Sequence, residues 1–437
     1  MFRRLLVSTC SAIVASIALV VLAIFAMLQA PWAARRRRQG MRPRLVYGPT
    51  PIISIKYMRE AMSSRGYEAC TLVYALASIN DRSDFDRYLG DLPGGAADAR
   101  LPLRALHFLF GRYLAFIWAL HRFDVFHFFF DGGFLVGTPL RFLEIQLLHL
   151  AGKRVIAMPY GGDVYVPTLT RSLEWRQAYL ADYPRIVFDE RETLRRIYYF
   201  CRRADFVVAC LVHLETLPRW DLLTTHYYPI DTDTWTPTSK SGLKESLGTV
   251  KVFHSANHRA LKGTQSLIDA CATLKEEGVD VELVLAEGLP NHEVRRRLAD
   301  ADIVAEQFLH GYALAAMEGM SLAKPVVSNL SDSDHYDVFR RYTGLDECPI
   351  VSASADDLTD TLRALAADSA LRADLGEAGR RYVLRHHSYE AVARMWEVVY
   401  RTVWLGEPMP AQAWHPDLAD RLLRAGVGVE EASGTFA

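Results

Sequence analysis

Ile303-Val304-Ala305-Glu306-Gln307-Phe308-Leu309-His310-Gly311-Tyr312, continued by Ala313-Leu314-Ala315-Ala316-Met317-Glu318-Gly319-Met320-Ser321-Leu322-Ala323-Lys324-Pro325-Val326-Val327, reads as strand, glycine-bearing loop, short helix and second strand. Two apolar, β-branched runs joined by a helix are parallel neighbours, since only a crossover connection joins parallel strands. The pattern extends outward. Strands are predicted at Val250–Ser255, Val281–Ala286, Ile303–Phe308, Pro325–Asn329 and Pro349–Ser352, with helices opening near Thr264, Asn291, Tyr312 and Ala355. Upstream, the runs Arg44–Tyr47, Cys70–Ala75, Asp124–Phe130, Arg154–Tyr160 and Asp205–Leu211 alternate with segments such as Ile55–Arg65 and Phe142–Leu150. A polar, turn-rich stretch, Asp231–Gly248, separates the two series. The organisation expected is a first α/β domain over 41–235, a second over 236–405 including terminal helices, and a tail from 406 to 437.

Residues 1–40 are set apart. From Leu5 to Ala30 there is no charged residue, and at about 1.5 Å per residue such a stretch spans a hydrocarbon core of about 30 Å. A cleaved signal peptide is the competing reading, but its apolar region runs to only about 7–15 residues. Arg35, Arg36, Arg37, Arg38, Arg42 and Arg44 follow the run, so the positive-inside rule predicts a single-pass membrane protein with its large domains in the cytoplasm.

The 437-residue chain carries a net charge of -1 and 23% charged residues, which argues against a nucleic-acid coat or a disordered tail. Its six cysteines form no C-x-x-C pair, and no zinc-protease, P-loop or dinucleotide glycine motif is present. Asp332-Ser333-Asp334 and Asp231-Thr232-Asp233 read as turn residues, and no metal site is expected. The apolar segment Leu106–Leu120 reads as a core helix, with a membrane-surface helix as the alternative.

Ligands of open α/β sheets bind beyond the carboxyl ends of the strands. After Val250–Ser255 comes the loop Asn257-His258-Arg259-Ala260-Leu261-Lys262-Gly263, whose Arg259 and Lys262 are candidates for holding a diphosphate or, equally, surface cations. After Ile303–Phe308, Gly311 allows close backbone approach and the helix from Tyr312 offers unpaired N–H groups to an anion. Glu318, two turns along, is suited to accept from a ribose diol, or it faces solvent.

The stretch from Ala301 to Val327 resembles the donor-site signature of retaining GT-B glycosyltransferases, family 4: Glu318, Met320 and Lys324-Pro325-Val326-Val327 match, with Gly319 for the usual alanine. His310 stands where the family has its first glutamate, and Ala313 where it has a glycine; Glu306 or Gln307 is the substitute the reading offers for that glutamate. Lys262-Gly263 resembles the family's phosphate clamp, with Asn257 at the clamp arginine's place and Arg259 taken to supply its charge. Phe123-Asp124-Val125-Phe126-His127 resembles the family's Asp-Val-Val-His strand, implying that His127 contacts the donor sugar or orients the acceptor; a core histidine is the other reading. Gly161-Gly162-Asp163 resembles a Gly-Ser-Asp loop, which assigns Gly162 and Asp163 to the acceptor side or Asp163 to a helix cap.

The resemblance implies two Rossmann-like domains facing a cleft, the GT-B arrangement, and the apolar run predicts a transmembrane helix before them. The same resemblance implies transfer of a sugar, with retention, from a nucleotide sugar to a glycan, lipid-linked or small-molecule acceptor, with His127 and His310 as catalytic candidates. No cofactor, metal or nucleic-acid partner is expected. A membrane-bound pseudoenzyme or sugar-binding protein, and a nucleotide-sugar epimerase, remain the alternatives.

Overall fold

Leu45-Val46-Tyr47 forms β1 (Leu45–Tyr47) with all three residues buried, as a central parallel strand covered on both faces requires. The structure, a computed structural model, describes residues 2–77, 79–95, 100–224, 228–237, 248–309, 311–330 and 347–409, and of residues 2–10 and 211–213 the backbone only. With β1 run β2 (Ala69–Val73), β3 (Arg87–Tyr88), β4 (Val125–Phe128), β5 (Arg154–Ala157), β6 (Phe206–Ala209) and β7 (Leu222–Leu223), a seven-stranded sheet in the order β3-β2-β1-β4-β5-β6-β7. A second sheet, β12-β11-β10-β8-β9, is built from β8 (Val250–Ser255), β9 (Val281–Ala286), β10 (Ile303–Ala305), β11 (Val326–Ser328) and β12 (Val351–Ser352). All pairings in both are parallel. This is the two-domain α/β architecture expected from the sequence.

Alternation along β4 divides the first domain's core, because successive strand residues point to opposite faces. Phe126 and Phe128 join a cluster with helices α1 (Phe2–Arg38), α3 (Leu101–Arg122), α4 (Glu144–Leu150) and α6 (Ile186–Arg203). Val125 joins the opposite cluster, with α2 (Ser54–Ser64). Ile55, Met58 and Met62 of α2 recur at helical spacing and are buried there. Each such side chain contributes roughly 1.5–3 kcal/mol on full burial.

The second sheet carries α7 (Arg259–Lys262), α8 (Thr264–Glu276), α9 (Asn291–Ala299), α10 (Leu314–Ser321), α11 (Leu358–Ala367) and α12 (Ser369–His386). Helix α5 (Leu173–Asp182) belongs to the first domain and faces α7. At the turn after α10, the backbone approaches α12 so closely that a Cβ on Gly376 would lie 2.1 Å from the Ala323 carbonyl oxygen. Only glycine fits. Helix α13 (Tyr389–Tyr400), capped by Ser388 Oγ accepting from Ala391 N, returns to the first domain. Its Trp396 and Tyr400 are buried with Met58 and Tyr47, so α13 closes the core that β1 begins.

The apolar N-terminal run is one helix as far as Arg38, and Ser11–Arg38 is long and apolar enough to cross a membrane; Leu101–Arg122 passes the same measure. In this structure α1 lies along the first domain, with Ala15, Leu22 and Ala26 buried in the cluster that holds Phe116 and Leu120. Arg36 reaches the carboxylate of Asp124, which is fully buried and also bonds Arg44 and Lys153. Burial alone would raise that carboxyl's pKa, but the hydrogen bond from Arg44 and the charges of Lys153 and Arg44 hold it below the usual range.

Candidate functional site

The loop that follows β8 forms α7, turns through Gly263 in the left-handed region (φ 67°) and enters α8. His254, at the end of β8, fixes this junction: its Nδ1 lies 2.8 Å from the Ala305 carbonyl oxygen and its Nε2 lies 2.9 Å from Thr264 Oγ1. Burial pushes its pKa down to about 4, so the ring is neutral at ordinary pH. His254 carries no signal in the sequence beyond being a polar residue toward the end of a strand that also holds Lys251 and Ser255.

Lys262 points beneath the loop. Its ammonium donates to Glu306 Oε1 at 2.6 Å, and Glu306 Oε2 accepts from Ala313 N at 3.0 Å. The buried Glu306 carboxylate thus ties the basic loop to the start of α10, one domain element to the next. Glu318, on α10, is 4% exposed, and its carboxyl is pushed up to about 8 by burial, with Lys262 lowering and Glu306 raising it. Lys262, Glu306 and Glu318 therefore form one electrostatic group at the carboxyl ends of β8 and β10. Tyr57, reaching over from α2, feels the Glu318 charge and packs with Met317 and Trp235.

Gly311 adopts φ 76° and donates from its N–H to Asn329 O at 2.7 Å. Ser328 Oγ donates to the Gly311 carbonyl, and Asn329 Nδ2 donates to Phe308 O, so the end of β11 holds the loop from below. The Tyr312 hydroxyl lies 3.2 Å from His387 Nε2, toward the terminal helices. His310 lies outside the described residues.

Arg259 pairs with Glu287 at 2.8 Å and is about half exposed, so its guanidinium is held toward the end of β9. Across the cleft, Asp182 at the end of α5 accepts from the backbone N–H groups of Ala260 and Leu261 at 3.2 and 2.9 Å. The Tyr183 hydroxyl lies 2.8 Å from His258 Nδ1. A carboxylate of the first domain therefore holds N–H groups of the same loop that carries Lys262.

On the first domain, His127 is 1% exposed. Its Nε2 lies 2.9 Å from the Tyr400 hydroxyl, itself 3.0 Å from that of Tyr47, and Trp396 packs edge-on against the ring. Burial lowers its pKa to about 3. β4 sets this residue against α13, between Tyr400 and Trp396. Asp163, also 1% exposed, accepts from the N–H groups of Phe130, Tyr160 and Gly161 at 2.9–3.0 Å, lacing together the turns after β4 and β5. Burial and the Asp131 charge raise its carboxyl to about 7. Gly162 beside it is exposed, with open space around its Cα. Asp231 accepts from Asp233 N and Thr234 N, the turn expected of it.

Residues 275–397, which include Glu306, Gly311, Tyr312 and Glu318, match the family model described as Glycosyl transferase-like. The likeness falls within the second domain. The match to this glycosyl transferase-like domain begins after Lys262, so the basic loop stands on its geometry alone. No curated protein matches the sequence. Among solved structures the chain is similar to the sucrose-phosphate synthase of Thermosynechococcus elongatus, with 14% identity and a TM-score of 0.55 over 84% of this chain and 100% of that one. It is also similar to Anabaena HepE in complex with UDP-glucose, with 12% identity and a TM-score of 0.54 over 82% of this chain and 100% of that one. At such identities the likeness concerns the fold, which is GT-B.

Proposed function

We propose that the chain is a glycosyltransferase that takes its sugar from a nucleotide diphosphate sugar bound between the two domains. The observation that carries the reading is the group Lys262, Glu306 and Glu318, gathered at the strand ends of a glycosyl transferase-like domain. The Lys262 ammonium is the cation for the diphosphate, and fixed charge of this kind stabilises a departing diphosphate without reorganisation. Glu318 is the acceptor for the ribose hydroxyls. HepE was solved with UDP-glucose and with UDP, which makes uridine diphosphate sugars the first donors to test. Retention is taken from the resemblance of the 301–327 segment, and the acceptor is a glycan, a lipid-linked sugar or a small molecule. Arg259 and Gly311 line the donor side in this reading, Gly162 the acceptor side, and His127 and Asp163 shape the walls. Attachment to the cytoplasmic face of a membrane through α1 is supported by the helix's length and by Arg35–Arg38 at its end.

A binding protein without transfer is favoured by one observation: Lys262 is already paired with Glu306. Release of nucleotide diphosphate from a panel of nucleotide sugars by the full chain in detergent separates the two. Turnover with at least one donor supports the enzyme; binding of nucleotide diphosphate without turnover supports the binding protein; neither binding nor turnover refutes both.

A further inference from the structure

The segment Leu106–Leu120 is expected from sequence to be a core helix, with a membrane-surface helix as the alternative, and α3, which contains it, is a core helix only in its second half. Phe116, Ala119 and Leu120 are fully buried, whereas all six residues from Leu101 to Leu106 are exposed. Along the helix Leu103, Leu106, Phe110 and Leu114 recur at spacings of three and four and remain 40–57% exposed among the described residues, an apolar stripe. Because α3 runs into β4 at its buried end, it is not placed to cross a bilayer.

Helix α1 carries a matching stripe. While Ala15, Leu22 and Ala26 face the domain, Ile13, Ile17, Val20 and Ile24 face outward and are 51–62% exposed. The helices pack together, with Ala15, Leu22 and Ala26 in one cluster with Tyr113, Phe116 and Leu120 and the Phe25 ring 6.4 Å from that of His121, so both stripes belong to one packed helix pair of the first domain. The charge carried by these two helices is basic, and the one exposed carboxylate described next to the first half of α3, Asp91, is paired with Arg82. No Asp or Glu occurs before Glu60 or within Leu101–Arg122, and Arg35, Arg38, Arg100 and Arg104 are exposed. A second copy of the chain would bring these arginines against their own kind, whereas anionic lipid headgroups would neutralise them.

We infer that α1 and the first half of α3 form one lipid-facing surface, on which the first domain rests in the outer layer of an anionic bilayer with α1 alongside it. The inference rests on reading α1 as the membrane element, and extends that element to α3. A helix whose inner face is buried against protein offers lipid only its outer face, the geometry of an interfacial helix.

The test is photo-crosslinking of the full chain in phosphatidylcholine–phosphatidylglycerol vesicles, with benzoylphenylalanine placed singly at Val20, at Phe108 and at Phe188. Phe108 and Phe188 are 65% and 80% exposed, so neither replacement disturbs the core, and Phe188 lies on α6 outside the surface. Lipid adducts at positions 20 and 108 in yields of the same order, and none at 188, are expected. Adducts at 20 alone would overturn the role of α3 and leave α1 as the membrane element. Adducts at neither position would remove both. A crosslink from 108 to a second copy would show the face to be a subunit contact and overturn the inference.

Discussion

Asp163 in the first domain and Glu318 in the second are both buried carboxyls with raised pKa, at the strand ends of their respective sheets. Their surroundings differ. Asp163 has three backbone N–H donors within 3.0 Å, whereas Glu318 is set among the charges of Lys262 and Glu306. A carboxylate whose lone pairs are taken by turn amides is a structural tie. One that shares its field with a lysine and a second carboxylate is equipped to respond to a ligand. The same contrast separates Asp124, held by three cations at the foot of the first sheet, from Glu306, held by one cation at the cleft.

The largest expected effect tests the structural side. Asp124→Asn leaves the Lys153 ammonium, 2% exposed, without its counter-charge; breaking such a buried pair costs about 3–5 kcal/mol. Denaturant unfolding of the full chain should show a loss of this size, with nucleotide affinity of the folded protein unchanged. A loss below about 1 kcal/mol, the worth of an exposed pair, would show that α1 and β4 are not joined through this carboxylate.

Lys262→Ala tests the other side. A hydrogen bond to a charged group is worth about 1.5–3 kcal/mol, so nucleotide diphosphate affinity should fall roughly ten- to a hundred-fold, while the nucleoside is little affected. Calorimetric titration with both ligands decides it. Equal affinity for the diphosphate before and after substitution would return Lys262 to a purely internal partner of Glu306.

Much of this contrast is hidden in the sequence for a physical reason. The strands were legible as short runs rich in Val, Leu and Phe: Val250–Ser255 and Val281–Ala286 form with the expected bounds, and Ala69–Val73 is shifted by a residue or two from Cys70–Ala75. Lys262 and Glu318 were legible as members of a motif. The surroundings of His127 were not, since its partner Tyr400 comes from 273 residues further along the chain. Nor was Asp182, which meets α7 from the other domain. Arg259 was expected to stand in for a clamp charge at Asn257, but whether an exposed arginine turns to a ligand or to Glu287 is set by a loop 28 residues away. Periodicity reports which face is covered and never by what.

The two raised carboxyls sharpen the comparison further. Asp163→Asn replaces one of the two accepting oxygens by a donor amide nitrogen, costing about 1–3 kcal/mol for each buried turn N–H left without its acceptor, and should spare nucleoside binding. Glu318→Gln should weaken nucleoside and nucleotide diphosphate by similar factors. It should also change the pH dependence of stability. Because the folded state holds the Glu318 proton to about pH 8, against 4.5 for an ordinary glutamate, the folded protein binds more protons between these values. Its contribution to stability is complete below about pH 4.5 and is lost as the pH rises through 8. The unfolding free energy of the wild type minus that of Glu318→Gln should therefore fall from pH 5 to pH 8. A flat difference would show that the carboxyl is ionised in the fold throughout.

The smallest expected effect concerns the contact that joins the two sides. Asp182 offers the N–H groups of Ala260 and Leu261 the same chemistry as a phosphate, a pair of anionic oxygens, and it does so from the first domain. If the diphosphate uses this loop, it competes with an internal carboxylate that is only partly buried. Asp182→Ala should then raise nucleotide diphosphate affinity by roughly two- to tenfold, the value of one ordinary net hydrogen bond of about 0.5–1.5 kcal/mol, and leave the nucleoside unchanged. Thermal unfolding should fall by the worth of a helix cap, about 0.5–2 kcal/mol. A rise in both affinities would instead mark Asp182 as a latch on domain opening, since opening exposes the whole nucleotide site. An unchanged diphosphate affinity together with the loss of stability would show that these N–H groups belong to the fold, and that Lys262 alone meets the anion.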